Sequence, residues 1–169
     1  CIVLEGGEYT FNHCTIGNYK ASGIRGYGLT LSDKKLDPKG AKSPLMAAFN
    51  NCIIYGRKNN EIDFIYDNLD DTYQFRFDHC LIKQDSTGTE ALTEGNCFAN
   101  IWNETPDFLV VNTDEELYNF HLDSLSAARY KGFTAPYTLY PECETDKDGQ
   151  SRLTDSLPAL GAYQFVSAQ

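Results

Sequence analysis

The chain lacks the features that mark several large classes of protein. No run of apolar residues is long enough to span a membrane, and no basic segment followed by an apolar one opens the sequence. Basic residues are few, since 14 Lys and Arg stand against 24 Asp and Glu, for a net charge of -10. Because a nucleic-acid-binding surface needs clustered Lys and Arg, this balance argues against a nucleic-acid partner. The acidic excess is compatible with neutral glycans, with cations or simply with solubility.

Metal-site spacing and helical periodicity are also scarce. The chain has six Cys but no CxxC pair, whereas zinc sites need closely spaced ligands. The best helical stretch covers residues 123–132, where a Ser/Asp start and a terminal Gly favour a short helix or a turn. These absences point away from zinc modules and helical folds.

What the chain does contain is one hexapeptide pattern written three times. It reads FNHCTI at residues 11–16, FNNCII at residues 49–54 and FDHCLI at residues 77–82. Apolar residues alternate on both sides of a central Asn, Asp or His pair, and alternation is typical of strands. The central pair shifts the alternation by one residue and tolerates left-handed backbone, so it predicts a sharp bend. Strand, bend and strand, repeated along the chain, predict an all-β solenoid of parallel β-helix type.

Stacking of these units would place like residues above like, about 4.8 Å apart. We expect three inward columns, formed by Phe11, Phe49 and Phe77, by Cys14, Cys52 and Cys80, and by Ile16, Ile54 and Ile82. A fourth, degenerate copy is predicted at GNCFAN, with Asn96 and Cys97 in the bend and column positions. The segments LTLS and EIDFIY, at residues 29–32 and 61–66, supply further alternating strands.

The pattern changes after residue 105, and this sets the predicted organisation. Residues 1–105 are expected to form β-helix coils, and residues 106–169 a last coil and a C-terminal cap, all in one structural domain. Within the second segment we expect two strands around an acidic turn, and one more strand in residues 157–165. Strand-like sequence directly after Cys1 favours a fragment of a longer chain, with its targeting signal upstream.

The C-terminal phrases resemble those of a known family. PDFLV, NFHLDSLSAARYKG, TDKDGQSR and LPALGAYQF occur in the order and spacing of the closing phrase of certain secreted proteins. These are the pectate-lyase-like, right-handed parallel β-helix proteins of Gram-negative gut bacteria. The resemblance implies a right-handed parallel β-helix with a C-terminal cap, in a protein that is secreted, periplasmic or on the outer cell surface.

The chain departs from the family phrase at its end. Ala159 and Leu160 stand where the family has an acidic residue before Gly-Ala-Tyr, and Gln164 stands where it has Glu. If Arg152 pairs with those carboxylates in the family, another acid must replace them here, and Asp155 is a candidate.

No catalytic or binding residue is assigned by a motif, and no metal ligand set is predicted. Two acidic segments are candidate calcium-binding sites. They are the group Asp63, Asp67, Asp70 and Asp71, and DKDG at residues 146–149. A solvated acidic loop is the favoured interpretation of the first. The second has Leu157 at the twelfth position, where a calcium loop needs an acid, and is interpreted as a turn of the cap anchored by Arg152.

Two His residues and the Cys column have structural and chemical interpretations. His13 and His79 each precede a column Cys, but Asn51 takes the same position in the copy between them. They are therefore interpreted as hydrogen-bonding bend residues rather than as a metal site or a nucleophile–base pair. For the column Cys residues, a disulfide between neighbouring coils and buried free thiols both remain open.

Aromatic residues are the remaining functional feature, because their rings can stack on sugar faces. Aromatic ladders inside a β-helix explain many of them equally well. The candidates in loops or at strand ends are Tyr19, Tyr27, Tyr55, Tyr66, Tyr130, Tyr137, Tyr140 and Trp102.

Three functions are compatible with these observations. The favoured one is an extracellular β-helix protein that binds or scaffolds on a polysaccharide or surface glycan, without an assigned catalytic role and without a required cofactor. The second is a polysaccharide lyase or glycoside hydrolase whose active groove lies largely in upstream coils. The third is a structural or adhesive stalk. The fold alone does not choose among them.

Overall fold

The structure, a computed structural model, describes residues 2–19, 26–34, 39, 41–69, 71–85, 89–154 and 157–166. Within these ranges the protein is all-β, with short 3₁₀ helices at Ala135–Thr138 and Pro141–Glu144 and no α-helix. Cys1, Asp70 and Asp155 lie outside the described residues. The strands are β1 (Ile2–Glu5), β2 (Gly7–Asn12), β3 (Thr15–Asn18), β4 (Leu29–Ser32), β5 (Leu45–Asn50), β6 (Ile53–Gly56), β7 (Ile62–Ile65), β8 (Tyr73–Asp78), β9 (Leu81–Ile82), β10 (Cys97–Phe98), β11 (Ile101–Trp102), β12 (Phe108–Asn112) and β13 (Leu117–Leu122).

Three parallel sheets form the body of the protein. Their strand orders are β1-β4-β7 in the first sheet, β2-β5-β8-β10 in the second and β3-β6-β9-β11 in the third. Each of the first three passages of the chain therefore adds one strand to each sheet in the same order, and the fourth adds β10 and β11 to the second and third sheets. Every pairing in these sheets is parallel. This arrangement confirms the predicted all-β class with parallel pairing and is compatible with a β-helix.

The hexapeptide bends have the predicted left-handed backbone. His13, Asn51 and His79, each the second residue of its central pair, have φ angles of 49°, 55° and 50°. Only a few residue types adopt this conformation readily, and Asn is among them. Each bend carries the chain from the second sheet into the third.

The predicted columns of like residues are present between the sheets. Phe11, Phe49 and Phe77 are paired in register, and their rings stack with centroids 4.8 and 5.0 Å apart. The Ile column is likewise in register and buried. In the Cys column the Cys14 N–H lies 3.5 Å from Cys52 Sγ, and Cys80 Sγ donates to the Phe49 carbonyl.

Free thiols, rather than a disulfide, occupy the Cys column. Cys14, Cys52, Cys80, Cys97 and Cys143, the cysteines among the described residues, are all unpaired. Burial raises the pKa of the Cys52 thiol well above its ordinary value. The column thiols therefore behave as small apolar groups rather than as nucleophiles.

The fourth copy is shifted from its predicted register. Cys97 pairs with Phe77 and so continues the Phe column, while Ala99, with a φ of 49°, takes the bend. The prediction that Asn96 and Cys97 occupy the bend and Cys positions is wrong. The Asn96 side chain instead stabilises the turn that precedes β10, where it accepts from the Thr93 N–H and donates to the Ala91 carbonyl.

Asn100 takes the position above Cys80 in this last pass. Its amide accepts from the Cys80 N–H at 2.8 Å and donates to the Phe77 carbonyl at 3.0 Å. The side chain thus satisfies backbone groups at the end of the stack, which a thiol would do poorly.

The C-terminal segment covers the outer face of the third sheet. β12 and β13 are the two strands predicted around an acidic turn. The structure shows that they are antiparallel, and among the described residues they pair with each other rather than with a parallel sheet. Residues 123–132 form turns, not a helix. A second apolar core results, made of Ile53, Leu81, Leu122, Ala128, Ala159, Leu160 and Phe165.

The strand predicted in residues 157–165 is absent. The N–H groups of Ala159, Leu160 and Gly161 go to three separate acceptors: the Gln164 side chain, the Ala128 carbonyl and the Asn51 carbonyl. Because no one strand lies alongside this segment, no ladder forms, although the backbone is satisfied.

Arg152 and Asp146 organise the cap as buried charged groups. Arg152, 2% exposed, donates from Nη2 to the carbonyls of Gly161 and Ala162 at 3.0 Å each. Asp146 accepts the N–H groups of Asp148, Gln150 and Gln164, which folds DKDG into a turn. DKDG is a turn, as predicted, and backbone carbonyls accept the hydrogen bonds of the Arg152 guanidinium.

Candidate functional site

The candidate site begins at the end of β3, where the chain needs a residue without a side chain. A Cβ on Gly17 would lie 2.8 Å from Cζ of Phe120, so the Phe120 ring rests directly on the Gly17 backbone. Phe120 belongs to β13, and this contact joins the β12–β13 hairpin to the third sheet. Tyr19 follows β3 at the same edge.

Three aromatic rings stack in a row at this junction. Tyr19 and Phe120 have ring centroids 6.1 Å apart with a 28° angle between planes, and Phe120 and Tyr118 are 6.0 Å apart at 22°. Phe108 of β12 braces the row from the side, edge-on to Phe120 at 5.0 Å. The hairpin and the end of β3 together hold a ribbon of nearly parallel ring faces.

The ribbon borders an open depression of about 430 Å³. Gly17, Tyr19, Tyr118 and Phe120 line it together with Glu116, the last residue of the hairpin turn, which has a φ of 54°. Tyr118 is 40% exposed, so its ring is available to a ligand. The depression combines aromatic faces with one carboxylate.

A polar row continues from this depression across the third sheet. Gly17 pairs with Tyr55, and hydrogen bonds from the Lys83 N–H and the Asn103 N–H extend the pairing to Lys83 and Asn103. Lys83 Nζ lies 5.0 Å from the Tyr55 ring centroid and donates to the Gly56 carbonyl at 2.8 Å. The row leads into a second depression of about 470 Å³, lined by Asn59, Asn60, Lys83, Asp85 and Asn103.

The hydroxyls of Tyr19 and Tyr55 are neutral across the physiological pH range. Burial raises the pKa of Tyr19, and the nearby Tyr55 and Glu61 raise it further. Burial also raises the pKa of Tyr55, with smaller contributions from Asp107 and Glu104. The hydroxyls therefore remain available as hydrogen-bond donors and acceptors.

A buried carboxylate, that of Glu61, fixes the backbone at the end of β3 next to the site. Glu61, 0% exposed, accepts from Asn18 Nδ2 at 2.6 Å, from the Gly28 N–H at 3.2 Å and from the Lys58 N–H at 2.8 Å. These bonds tie the end of β3 to the segments before β4 and β7. Glu61 was not among the residues singled out by the sequence, because nothing in a lone Glu before a strand distinguishes it from a solvated one.

A separate groove of about 260 Å³ crosses the outer face of the second sheet. The residues that line it include Glu8, Thr10, Met46, Ala48, Gln74 and Arg76. The guanidinium of Arg76 lies 4.3 Å from the Phe98 ring centroid and pairs with Asp78. Arg76 covers the aromatic ring next to this groove, whereas the Tyr118 ring is 40% exposed, so we place the candidate site at the row of Tyr19, Phe120 and Tyr118.

The acidic residues proposed for calcium do not gather into a site in the described part of the chain. Asp67 forms an ion pair with Lys34, while Asp63 lies on β7. No group of three or more His, Cys, Asp or Glu side chains that could hold a metal ion occurs within the described ranges. The same ranges contain no helix long and apolar enough to cross a membrane.

The two bend His residues have different surroundings and do not meet. His79 stacks on Phe133 at 4.4 Å, and its Nδ1 lies 2.7 Å from Asp78. His13 is buried, with Nε2 2.9 Å from both Asn51 Nδ2 and the Tyr137 hydroxyl. Both serve as hydrogen-bonding bend residues, as predicted.

The structure divides the aromatic candidates into several groups. Tyr19 lies in the site, Tyr55 lies beside it, and Tyr27 is covered by Lys58 at 4.1 Å. Tyr66 stacks on Tyr73, and Trp102 packs against the apolar core between the parallel sheets. Tyr130 packs on Phe165, and the Tyr137 hydroxyl hydrogen-bonds to His13.

Sequence reasoning missed Tyr118 and Phe120. Their i, i+2 spacing on β13 was visible as strand alternation, but the pairing of that face with Tyr19 depends on how the hairpin folds back.

Comparisons with known proteins add no relative to this picture. No family model matches the chain, and searches of curated proteins and of solved structures also find no match.

Proposed function

We propose that this chain is part of an extracellular right-handed parallel β-helix protein, of the pectate-lyase-like type, that binds complex carbohydrate. The strand order and the aligned columns support the β-helix with its C-terminal cap, and the closing phrases support the family. The secreted, periplasmic or outer-surface location belongs to the same proposal. The observation that carries the binding function is the row of Tyr19, Phe120 and Tyr118 beside an open depression.

The physical argument concerns the match between ring faces and sugar faces. The apolar C–H face of a hexose packs against an aromatic ring and gains burial without requiring charge. Successive rungs of a parallel sheet are about 4.8 Å apart, which is close to the length of one sugar unit. A chain of a few hexoses can therefore follow the row from the Phe120 ring, which covers Gly17, past Tyr55 to Lys83, with the Tyr hydroxyls and Asn side chains bonding its hydroxyl groups.

Titration calorimetry with β-linked hexose oligosaccharides tests this function. Tyr118→Ala is the informative variant because its ring is exposed and its loss disturbs the fold little. We expect an affinity loss of about 3- to 10-fold, the range for one aromatic contact. Tyr140→Ala, which lies outside the depression, is the matched control and should bind like the unmodified protein.

Two results would contradict the proposal. One is the failure of the folded protein to bind any oligosaccharide in a panel of common linkages. The other is equal affinity of Tyr118→Ala and the unmodified protein for a ligand that does bind.

A further inference from the structure

Carboxylates lie at and near the aromatic depression. Glu116 lines it directly, and Asp114 and Glu115 belong to the same hairpin turn. Asp107 and Glu104 lie close enough to Tyr55, the next residue along the row from Gly17, to raise the pKa of its hydroxyl. The depression is thus bordered by carboxylates, within a protein of net charge -10.

The same surface already holds ammonium groups against aromatic rings. Lys58 Nζ lies 4.1 Å from the Tyr27 ring centroid, and Lys83 Nζ lies 5.0 Å from that of Tyr55. A cation over a Tyr face is attracted by the ring quadrupole, and a nearby carboxylate adds to the attraction. At the depression itself, Tyr19, Tyr118 and Glu116 offer these two features, and the lining residues that the structure describes include no Lys or Arg.

We propose that the depression prefers saccharides that carry a protonated amine, accepts neutral ones more weakly and rejects uronates. This inference rests on the carbohydrate-binding function proposed above and specifies its ligand class. The amine of a hexosamine takes the position between the Tyr118 face and the Glu116 carboxylate. A uronate in the same place brings its carboxylate against Glu116 and the acidic turn, with a Coulomb penalty instead of a gain.

Three trisaccharides with the same β-1,4 linkage form the test: glucosamine, glucose and glucuronate trimers. Binding is measured by calorimetry at pH 6, in 50 mM and 500 mM NaCl. We expect the glucosamine trimer to bind at least about 5-fold more tightly than the glucose trimer at low salt, with the glucuronate trimer weakest. High salt should reduce the difference between the charged and neutral ligands.

Glu116→Gln removes the charge with little change in shape. We expect it to bring the ratio of glucosamine to glucose affinity close to one and to improve glucuronate binding relative to glucose. Glu5→Gln on β1, also exposed but outside the depression, removes the same charge from the protein and is the matched control. Circular dichroism confirms that both variants are folded.

The outcomes separate the two proposals. If glucose binds as tightly as glucosamine, or if glucuronate binds best, the ligand class is wrong while carbohydrate binding stands. An unchanged affinity ratio in Glu116→Gln also overturns the inference. If none of the trimers binds but another oligosaccharide of the panel does, the ligand class is wrong, whereas the proposed function itself fails if no member of the panel binds the folded protein.

Discussion

Acid should destabilise this protein through one buried imidazole, that of His13. The Phe133 N–H donates to Asn51 Oδ1 at 2.9 Å, which orients the Asn51 amide so that Nδ2 faces His13 Nε2. Nε2 must therefore accept, and a protonated ring would set two donors against each other. Burial is the main cause that lowers the pKa of His13 to about 3, and the positive charge of Arg152 lowers it further.

The carbonyls of Ala159 and Gly161 act in the opposite direction but weakly. They favour the protonated ring, although Nδ1 forms no hydrogen bond of normal geometry. Because burial dominates, the native His13 stays neutral when the unfolded one takes up a proton.

The sign and size of the effect follow from the two pKa values. The ordinary His value is 6.5 and the native value is about 3, so between these limits the unfolded chain binds the extra proton. The contribution of neutral His13 to the free energy of unfolding is fully present above about pH 6.5. It decreases as the pH falls toward 3, by about 1.4 kcal/mol per pH unit. From pH 7 to pH 5 the His13 contribution falls by about 2 kcal/mol.

Urea denaturation at pH 7, 6 and 5, followed by circular dichroism, measures this loss. His13→Asn removes the titrating ring and keeps the left-handed bend, because Asn51 already occupies the equivalent position with a φ of 55°. We expect the decrease in unfolding free energy between pH 7 and 5 to shrink by about 2 kcal/mol in this variant. Other groups that titrate in this range cancel in the comparison.

His79→Asn is the matched control, since it makes the same substitution at an equivalent bend. It retains His13 and should keep the acid sensitivity of the unmodified protein. Identical pH dependence in the protein and in His13→Asn would refute the reasoning, and so would the loss of acid sensitivity in His79→Asn.

Two further substitutions test the stacked columns and the buried acid beneath the site. Phe49→Ala removes a fully buried ring between Phe11 and Phe77 and should cost about 3 to 5 kcal/mol of unfolding free energy, whereas Phe11→Ala, at the half-buried end of the column, should cost distinctly less. Equal losses in urea titrations would contradict the column. Glu61→Ala removes one acceptor of Asn18 Nδ2, which keeps the Gly26 carbonyl, and the carboxylate that accepts from the Gly28 and Lys58 N–H groups, for about 3 kcal/mol, whereas the isosteric Glu61→Gln should cost less. Equal costs would show that packing, and not these bonds, stabilises the corner.

The local sequence pattern predicted the parallel strands and bends well because each is determined by residues close together in the chain. A period of two, interrupted by Asn, Asp or His pairs, was enough to predict bends at His13, Asn51 and His79 and the alignment of Phe11 with Phe49 and Phe77. The fourth copy was misplaced because its register depends on Asn100, whose amide bonds the backbone at the end of the stack. Such end effects have no counterpart in the interior repeats.

The sequence by itself determined which residues face inward and where the chain bends, since these follow from side-chain alternation and from the few residues that accept positive φ. Only the tertiary structure decided how the β12–β13 hairpin and the cap lie against the third sheet. That docking places Phe120 on Gly17 and brings Tyr118 beside Tyr19, across about a hundred residues of chain. Contacts between such distant segments depend on the shape and burial of whole surfaces, which no local pattern records.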